Sequence, residues 1–247
     1  MSIRSAPAAP TTEPLIPIPS SYSDGRICKL RLISPYTALP LAERDALEPL
    51  SRRIALDPKQ NLFGQDEPAG SIYNVTSGTL CLYCILPDGR RQVTGFAFPG
   101  DFLGLSLLDR FSVSADALGP VTACWFDRRS FVDLVCSQPG LMMHLHEITG
   151  HELTRAKDMM VLLGRRTAEE KIAVFLTGLW GRYARTGQSA VTLKLPMNRL
   201  DIADHLGLTI ETVCRTLTRL DREGCIRIVP GGVRLIDHAR LDRLSAR

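Results

Sequence analysis

The chain has 247 residues, 45% of them hydrophobic, and a formal net charge of +4; that length allows two small domains with cores of their own, and that charge is too balanced to name a partner. No run of eighteen apolar residues occurs and no basic segment leads into an apolar stretch at the N-terminus, so neither a spanning helix nor a secretory signal is expected and the chain reads as cytoplasmic, with no membrane partner. The seven cysteines are odd in number and scattered, which predicts reduced thiols rather than a disulfide framework.

Residues 1–35 are expected to form a disordered or weakly ordered tail, because Pro7, Pro10, Pro14, Pro17 and Pro19 fall among Ala, Ser and Thr. Leu41, Leu47, Leu50 and Ile54 lie at helical spacing and predict an opening helix over 39–56, broken at Asp57-Pro58. From Asn61 to Phe131 short alternating runs such as Leu80, Leu82, Cys84 and Leu86 are punctuated at Ser77-Gly78, Asp88-Gly89, Pro99-Gly100 and Gly119-Pro120. That pattern predicts an antiparallel barrel or jelly roll, with 36–137 as the first domain. No histidine occurs in Asn61–Phe131, which removes the usual ligands of a cupin-like metal enzyme. A ligand-binding sensor is the remaining rival, and it would need a convergent charged set that this stretch lacks.

Residues 138–164 return to helical spacing, with Met142, Leu145, Thr149, Ala156, Met159 and Leu163 on two interleaved seven-residue series. The seam is apolar apart from Thr149 and Glu152, and a dimerisation helix is expected; the alternative is a helix packed on its own barrel. His144, His146 and His151 share no face of that helix and read as solvated. Thr167-Ala-Glu-Glu170 is a capping box that opens a further helix to about Ala184 and the last domain, 165–247.

The segment Asp201–Glu223 carries the function. Ala203 is small where two helices would cross, and Gly207 permits the positive φ of a tight turn. Thr209 caps a second helix whose buried stripe is Val213, Leu217 and Leu220. On the opposite face Glu211, Cys214, Arg215 and Thr218 project together. Arg can bond G O6 and N7 and Glu can accept from C N4, so these four are the expected base readers. Thr209, Arg199, Arg219 and Arg222 are the expected phosphate contacts. Cys225–Val229, Pro230-Gly-Gly232 and Val233–Ile236 predict a wing. From Lys194 to Arg247 ten Lys/Arg face seven Asp/Glu, so this segment holds +3 of the net +4, which is compatible with phosphate contact.

With these motifs the chain resembles the Crp/Fnr superfamily of bacterial regulators over nearly everything after Leu39. IYNVTSG at Ile72–Gly78, DGRRQVTGF at Asp88–Phe96, PGDFLG at Pro99–Gly104 and ADHLGLTIETVCR at Ala203–Arg215 are similar to its Fnr/FixK branch. The resemblance implies an α+β chain: an N-terminal antiparallel β-roll of the cyclic-nucleotide-binding type, a long dimerisation helix and a C-terminal winged helix-turn-helix. It further implies a homodimeric activator on double-stranded DNA with a TTGAT-N4-ATCAA-like palindrome. The family reads its half-site with E-x-x-S-R, where Glu211 and Arg215 match and Cys214 replaces Ser. The loop Pro87–Gln92 resembles the place where such activators touch RNA polymerase; an exposed turn is the alternative.

Relatives that bind cyclic AMP hold it with a Glu in G-E-L and an Arg-Ser pair. Gly104-Leu105-Ser106 and Phe111-Ser112 stand there instead and offer a phosphate no cation, so no cyclic nucleotide is expected. Oxygen-sensing members hold an iron–sulfur cluster with four thiolates, whereas here Cys124 sits at the barrel position and only Cys28 precedes it, so no cluster is expected. Cys81 and Cys84 form C-x-x-C but face opposite sides of an alternating strand, and no metal is expected. The branch implied is FixK-like, acting on genes for microaerobic or anaerobic respiration or nitrogen fixation. Cys214 is a candidate redox point, since its oxidation would set charge or bulk against the DNA; the plain alternative is a stand-in for Ser.

Overall fold

The computed structural model describes residues 45–106, 108–185 and 192–246. The expected tail over 1–35, Cys28 and the first part of the expected opening helix lie outside the described residues.

Eight strands form the first domain: β1 (Ser51–Leu56), β2 (Asn61–Phe63), β3 (Ser71–Ser77), β4 (Leu80–Ile85), β5 (Arg91–Ala97), β6 (Phe102–Leu103), β7 (Ser114–Ala117) and β8 (Val121–Asp127). They pair into two four-stranded sheets, ordered β1-β8-β3-β6 and β2-β7-β4-β5, with antiparallel neighbours throughout. Side chains such as Val75, Leu80, Ala97 and Val121 fill the space within the roll.

The expected helix over 39–56 is corrected here. Residues 45–47 are helical and Glu48–Leu50 form one 3-10 turn, but Ser51–Leu56 is a strand. Pro49 cannot donate to a continuing helix, and the Ser51 hydroxyl donates back to the Glu48 carbonyl at 2.7 Å, closing the turn. Ile54 and Leu56 then pair with Ala123 and Val121, so their burial comes from a sheet even though their spacing suits a helix. The alternating pattern also ends earlier than Phe131: the Asp127 carboxylate accepts the Ser130 amide at 2.9 Å and starts α1 (Arg128–Ser137).

The expectation that all thiols are reduced is corrected too. Cys124, fully buried on β8, is disulfide-bonded, while Cys81, Cys84, Cys136, Cys214 and Cys225 are free. Scattered spacing cannot show which cysteines the fold brings together.

The long helix α2 (Pro139–Arg165) leads through Arg166 and Thr167 into α3 (Ala168–Arg185). The capping box forms as expected: the Glu170 carboxylate accepts the Thr167 amide at 2.8 Å and the Thr167 hydroxyl accepts the Glu170 amide at 3.4 Å. The last domain continues with β9 (Thr192–Lys194), α4 (Arg199–Leu206), α5 (Ile210–Arg222), β10 (Ile226–Val229), β11 (Gly232–Leu235) and α6 (His238–Ser245). The β10–β11 hairpin gains β9 as a third strand. That pairing needs Gly232, because a Cβ there would lie 2.0 Å from the Leu193 carbonyl oxygen. One apolar cluster runs from Cys81, Val93, Phe96 and Phe98 of the roll into Ile172, Leu176, Ile202, Val213 and Leu217 of the last domain.

Candidate nucleic-acid interface

Local chemistry fixes α4 at both ends. The Asn198 side chain accepts the Asp201 amide at 2.9 Å and the Asp201 carboxylate accepts the Asn198 amide at 3.1 Å. At the other end Gly207 adopts φ 60 and ψ 45, the left-handed geometry of a helix stop. Buried Lys171 of α3 donates to the Leu206 carbonyl at 3.1 Å, satisfying an orphan acceptor with a charge suited to a helix C-terminus. The chain re-enters helix at Thr209, whose hydroxyl accepts the Thr212 amide at 3.2 Å.

Val213, Thr216, Leu217 and Leu220 bury one face of α5, and Glu211, Cys214, Arg215 and Thr218 are exposed on the other. The side chains of Glu211 and Arg215 make no hydrogen bond or ion pair among the described residues, so both termini stay available to a partner. The Thr218 hydroxyl donates to the Cys214 carbonyl at 2.9 Å, which leaves it only as an acceptor. Of the expected phosphate contacts, Thr209 is spent on its cap, Arg199 is half-buried and Arg222 is exposed. Arg219 is turned back onto α3, 2.5 Å from the Glu169 carboxylate.

Two further cations were missed in the sequence. Arg227 of β10 and Arg234 of β11 are register partners on the exposed face of the wing. Arg227 has Asp221 at 3.7 Å and Arg234 reaches the Thr192 hydroxyl at 3.5 Å. Like charges directly across a strand pair repel. The signal was the alternation Ile226-Arg-Ile and Val233-Arg-Leu, which puts both arginines outside.

On α2 the expected seam divides. Met142, Thr149, Ala156 and Leu163 are exposed, whereas Leu145 and Met159 are half-buried against the chain's own cores. The exposed members join His146, Leu153 and Met160 in a strict alternation of four and three residues, from Met142 to Leu163. Leu153 is 58% exposed and Met160 73%, large apolar groups for a surface. His144 is half-buried, and His146 and His151 are exposed.

In the roll a cavity of about 80 Å³ is lined by Phe63, Leu103, Ser106, Arg110 and Phe111 among others. Phe63 and Phe111 stack across it at 4.0 Å. Arg110, a cation not anticipated there, donates to the Asp66 carbonyl. The loop tip at Asp88–Arg90 is exposed, but Arg91 and Gln92 turn inward to α4.

These features define a class: a regulator that joins a β-roll of the cyclic-nucleotide-binding type to a winged helix-turn-helix. Residues 53–137 match the cyclic nucleotide-binding domain family and residues 170–244 the Crp-like helix-turn-helix domain family. The chain is 47% identical over 219 residues to the transcriptional activatory protein AadR of Rhodopseudomonas palustris, covering 89% of this chain and 92% of that protein. It is 46% identical over 219 residues, with the same coverage, to the nitrogen fixation regulation protein FixK of Bradyrhizobium diazoefficiens. The structure of FixK2 from Bradyrhizobium japonicum matches with a TM-score of 0.75 at 34% identity, over 80% of this chain and 98% of that one. The chain belongs to the Crp/Fnr family of transcription regulators, in its FixK-like branch.

Proposed function

We propose that the chain is a homodimeric transcription activator that binds a TTGAT-N4-ATCAA-like palindrome and controls genes of microaerobic or anaerobic respiration or nitrogen fixation. The carrying observation is the pair Glu211 and Arg215, held one turn apart on a capped helix with no side-chain partner for either among the described residues. Their chemistry suits the G·C pair of the half-site, Arg bonding G O6 and N7 and Glu accepting from C N4. Arg199 and Arg222 stand beside this face as phosphate contacts, and the wing arginines extend it. The exposed line Met142–Leu163 is the seam for a second copy, since its four-three alternation is the pattern that closes two helices on each other. The tip Asp88–Arg90 is left as the surface for RNA polymerase. The physiological role rests on the names of AadR and FixK.

Control without an iron–sulfur cluster or a cyclic nucleotide is part of this reading. Cys124, the barrel position for a cluster thiolate, is engaged in a disulfide. The cavity beside Phe63, Arg110 and Phe111, at about 80 Å³, is well below the several hundred Å³ of a usual small-molecule site, and Arg110 in its lining is tied to backbone.

The test is binding of aerobically purified, metal-free protein to a TTGAT-N4-ATCAA duplex, beside Arg215→Ala and a scrambled duplex. Specific, salt-dependent binding lost in the variant is expected; no specific binding would overturn the reading.

A redox-responsive regulator is the second reading, favoured by the exposed Cys214 thiol next to Arg215. Peroxide is then expected to weaken operator binding by the native protein and to leave Cys214→Ser unaffected. Equal loss in both would remove Cys214 as the control point.

A further inference from the structure

We propose that Arg91, on the β-roll, is a positioning residue for DNA readout: it grips α4 through Asp201 and Asp204 and thereby fixes where α5 stands relative to α2. The inference rests on the DNA-binding reading above. Asp201 is almost wholly buried and its two carboxylate oxygens have separate tasks. One closes the capping box with the Asn198 amide, and the other accepts the Arg91 guanidinium, which comes from 110 residues away. The same guanidinium lies 3.4 Å from Asp204 and passes over the Tyr83 ring at 5.3 Å. Its neighbour Gln92 donates to the Asp204 carbonyl at 2.5 Å. The carboxylate that caps the start of the helix-turn-helix is therefore also held by the other domain.

A second anchor stands apart from the first. Arg182 of α3 meets Asp101 of the roll at 2.7 Å, both nearly buried, and lies over the Phe98 ring at 5.1 Å. Between the anchors His205 of α4 sits edge-on to Phe96 at 5.3 Å and Phe175 at 6.0 Å. Only Arg166 and Thr167 join α2 to α3, a link too short to hold a domain's orientation unaided and long enough to let it swing. The gripped side of α4 is not the reading side of α5, so docking leaves Glu211 and Arg215 open.

Two reading helices in a dimer must meet half-sites about one helical turn apart. A head held at fixed orientation presents its partner head at high effective concentration, and a swinging head loses that gain while keeping its own base contacts. A positioning role is thus separable from both base contact and folding. Fluorescence anisotropy is measured on a full palindrome and on an isolated half-site duplex, for native protein, Arg91→Ala, Arg91→Lys and Asp204→Asn. Arg91→Ala is expected to weaken the palindrome about tenfold while half-site binding stays within about twofold. Asp204→Asn, which spares the cap, should move the same way by less, and Arg91→Lys should restore part of the loss. Unchanged palindrome binding in Arg91→Ala overturns the inference. So does an equal loss on both duplexes, or in Asp204→Asn alone, because Arg91 would then support folding or nothing. Native protein that binds neither duplex overturns the DNA-binding reading itself, and this inference with it.

Discussion

On its outer face the helix-turn-helix exposes Glu211 and Arg215 with no partner among the described residues, whereas on its inner face Asp201 and Asp204 are met by Arg91 of the roll. The two faces lie on neighbouring helices of one motif and differ in what their charges are for. A buried charge left alone is costly, so the inner face has every carboxylate engaged and gains a defined geometry. An exposed charge costs little to leave unpaired, and on a rigid helix it keeps its hydrogen-bonding capacity for a partner outside the chain.

The sharpest way to break the contrast is Arg215→Ala. It should cost about 1–3 kcal/mol at each half-site, about twice that over the palindrome, and leave the thermal midpoint unchanged. Anisotropy and calorimetry on the same sample check this; a variant that melts early would mean that the outer face stabilises the fold as well.

The inner face is expected to respond to acid. Burial between Phe96 and Phe175, with a smaller push from the charge of Arg155, lowers His205 from 6.5 to about 4. Between those values the unfolded chain binds a proton that the folded chain refuses. The stability tied to His205 is therefore complete above about pH 6.5, declines as pH falls, and levels below about 4 after a loss of about 3 kcal/mol. Urea unfolding across that range should show His205→Gln losing correspondingly less than native protein. Identical slopes would mean that this ring is not shut in the seam.

The smallest expected effect lies on the wing. If Arg227 and Arg234 contact phosphates, each alanine variant should flatten the slope of log affinity against log salt by about one per protomer and leave the preference for the palindrome over a scrambled duplex intact. A changed preference would make the wing a reader of bases.

The readability of the sequence followed the range of the interactions. The reading head was legible because its determinants are local: Thr209 caps α5 three residues before the amide it accepts, Gly207 sits at the turn, and the stripe Val213, Leu217 and Leu220 repeats along one helix. The strand Ser51–Leu56 was not legible, because Leu47, Leu50 and Ile54 satisfy a helical period while burial is decided by β8, some seventy residues on. The short strand β9 and helix α6 carried too little pattern to stand out. On α2 the periodicity gave a single seam in which Leu145 and Met159 stood together with Met142 and Leu163, and only the packed chain shows that the first pair is covered and the second exposed. The grip of Arg91 on Asp201 had no trace at all in local sequence.

The hairpin that joins β4 to β5 faces two ways within five residues, with Asp88 and Arg90 outward and Arg91 and Gln92 clasped to α4. The place of Arg91 and Gln92 in β5 is therefore a fixed dimension of the molecule, while the length of the turn is not. Extra residues spliced in at the Asp88-Gly89 tip would merely lengthen an exposed turn. A single residue spliced in between Arg91 and Gln92 would shift the register of β5 by one and send Arg91 to the opposite side of the sheet, so the tip can vary while the strand behind it cannot.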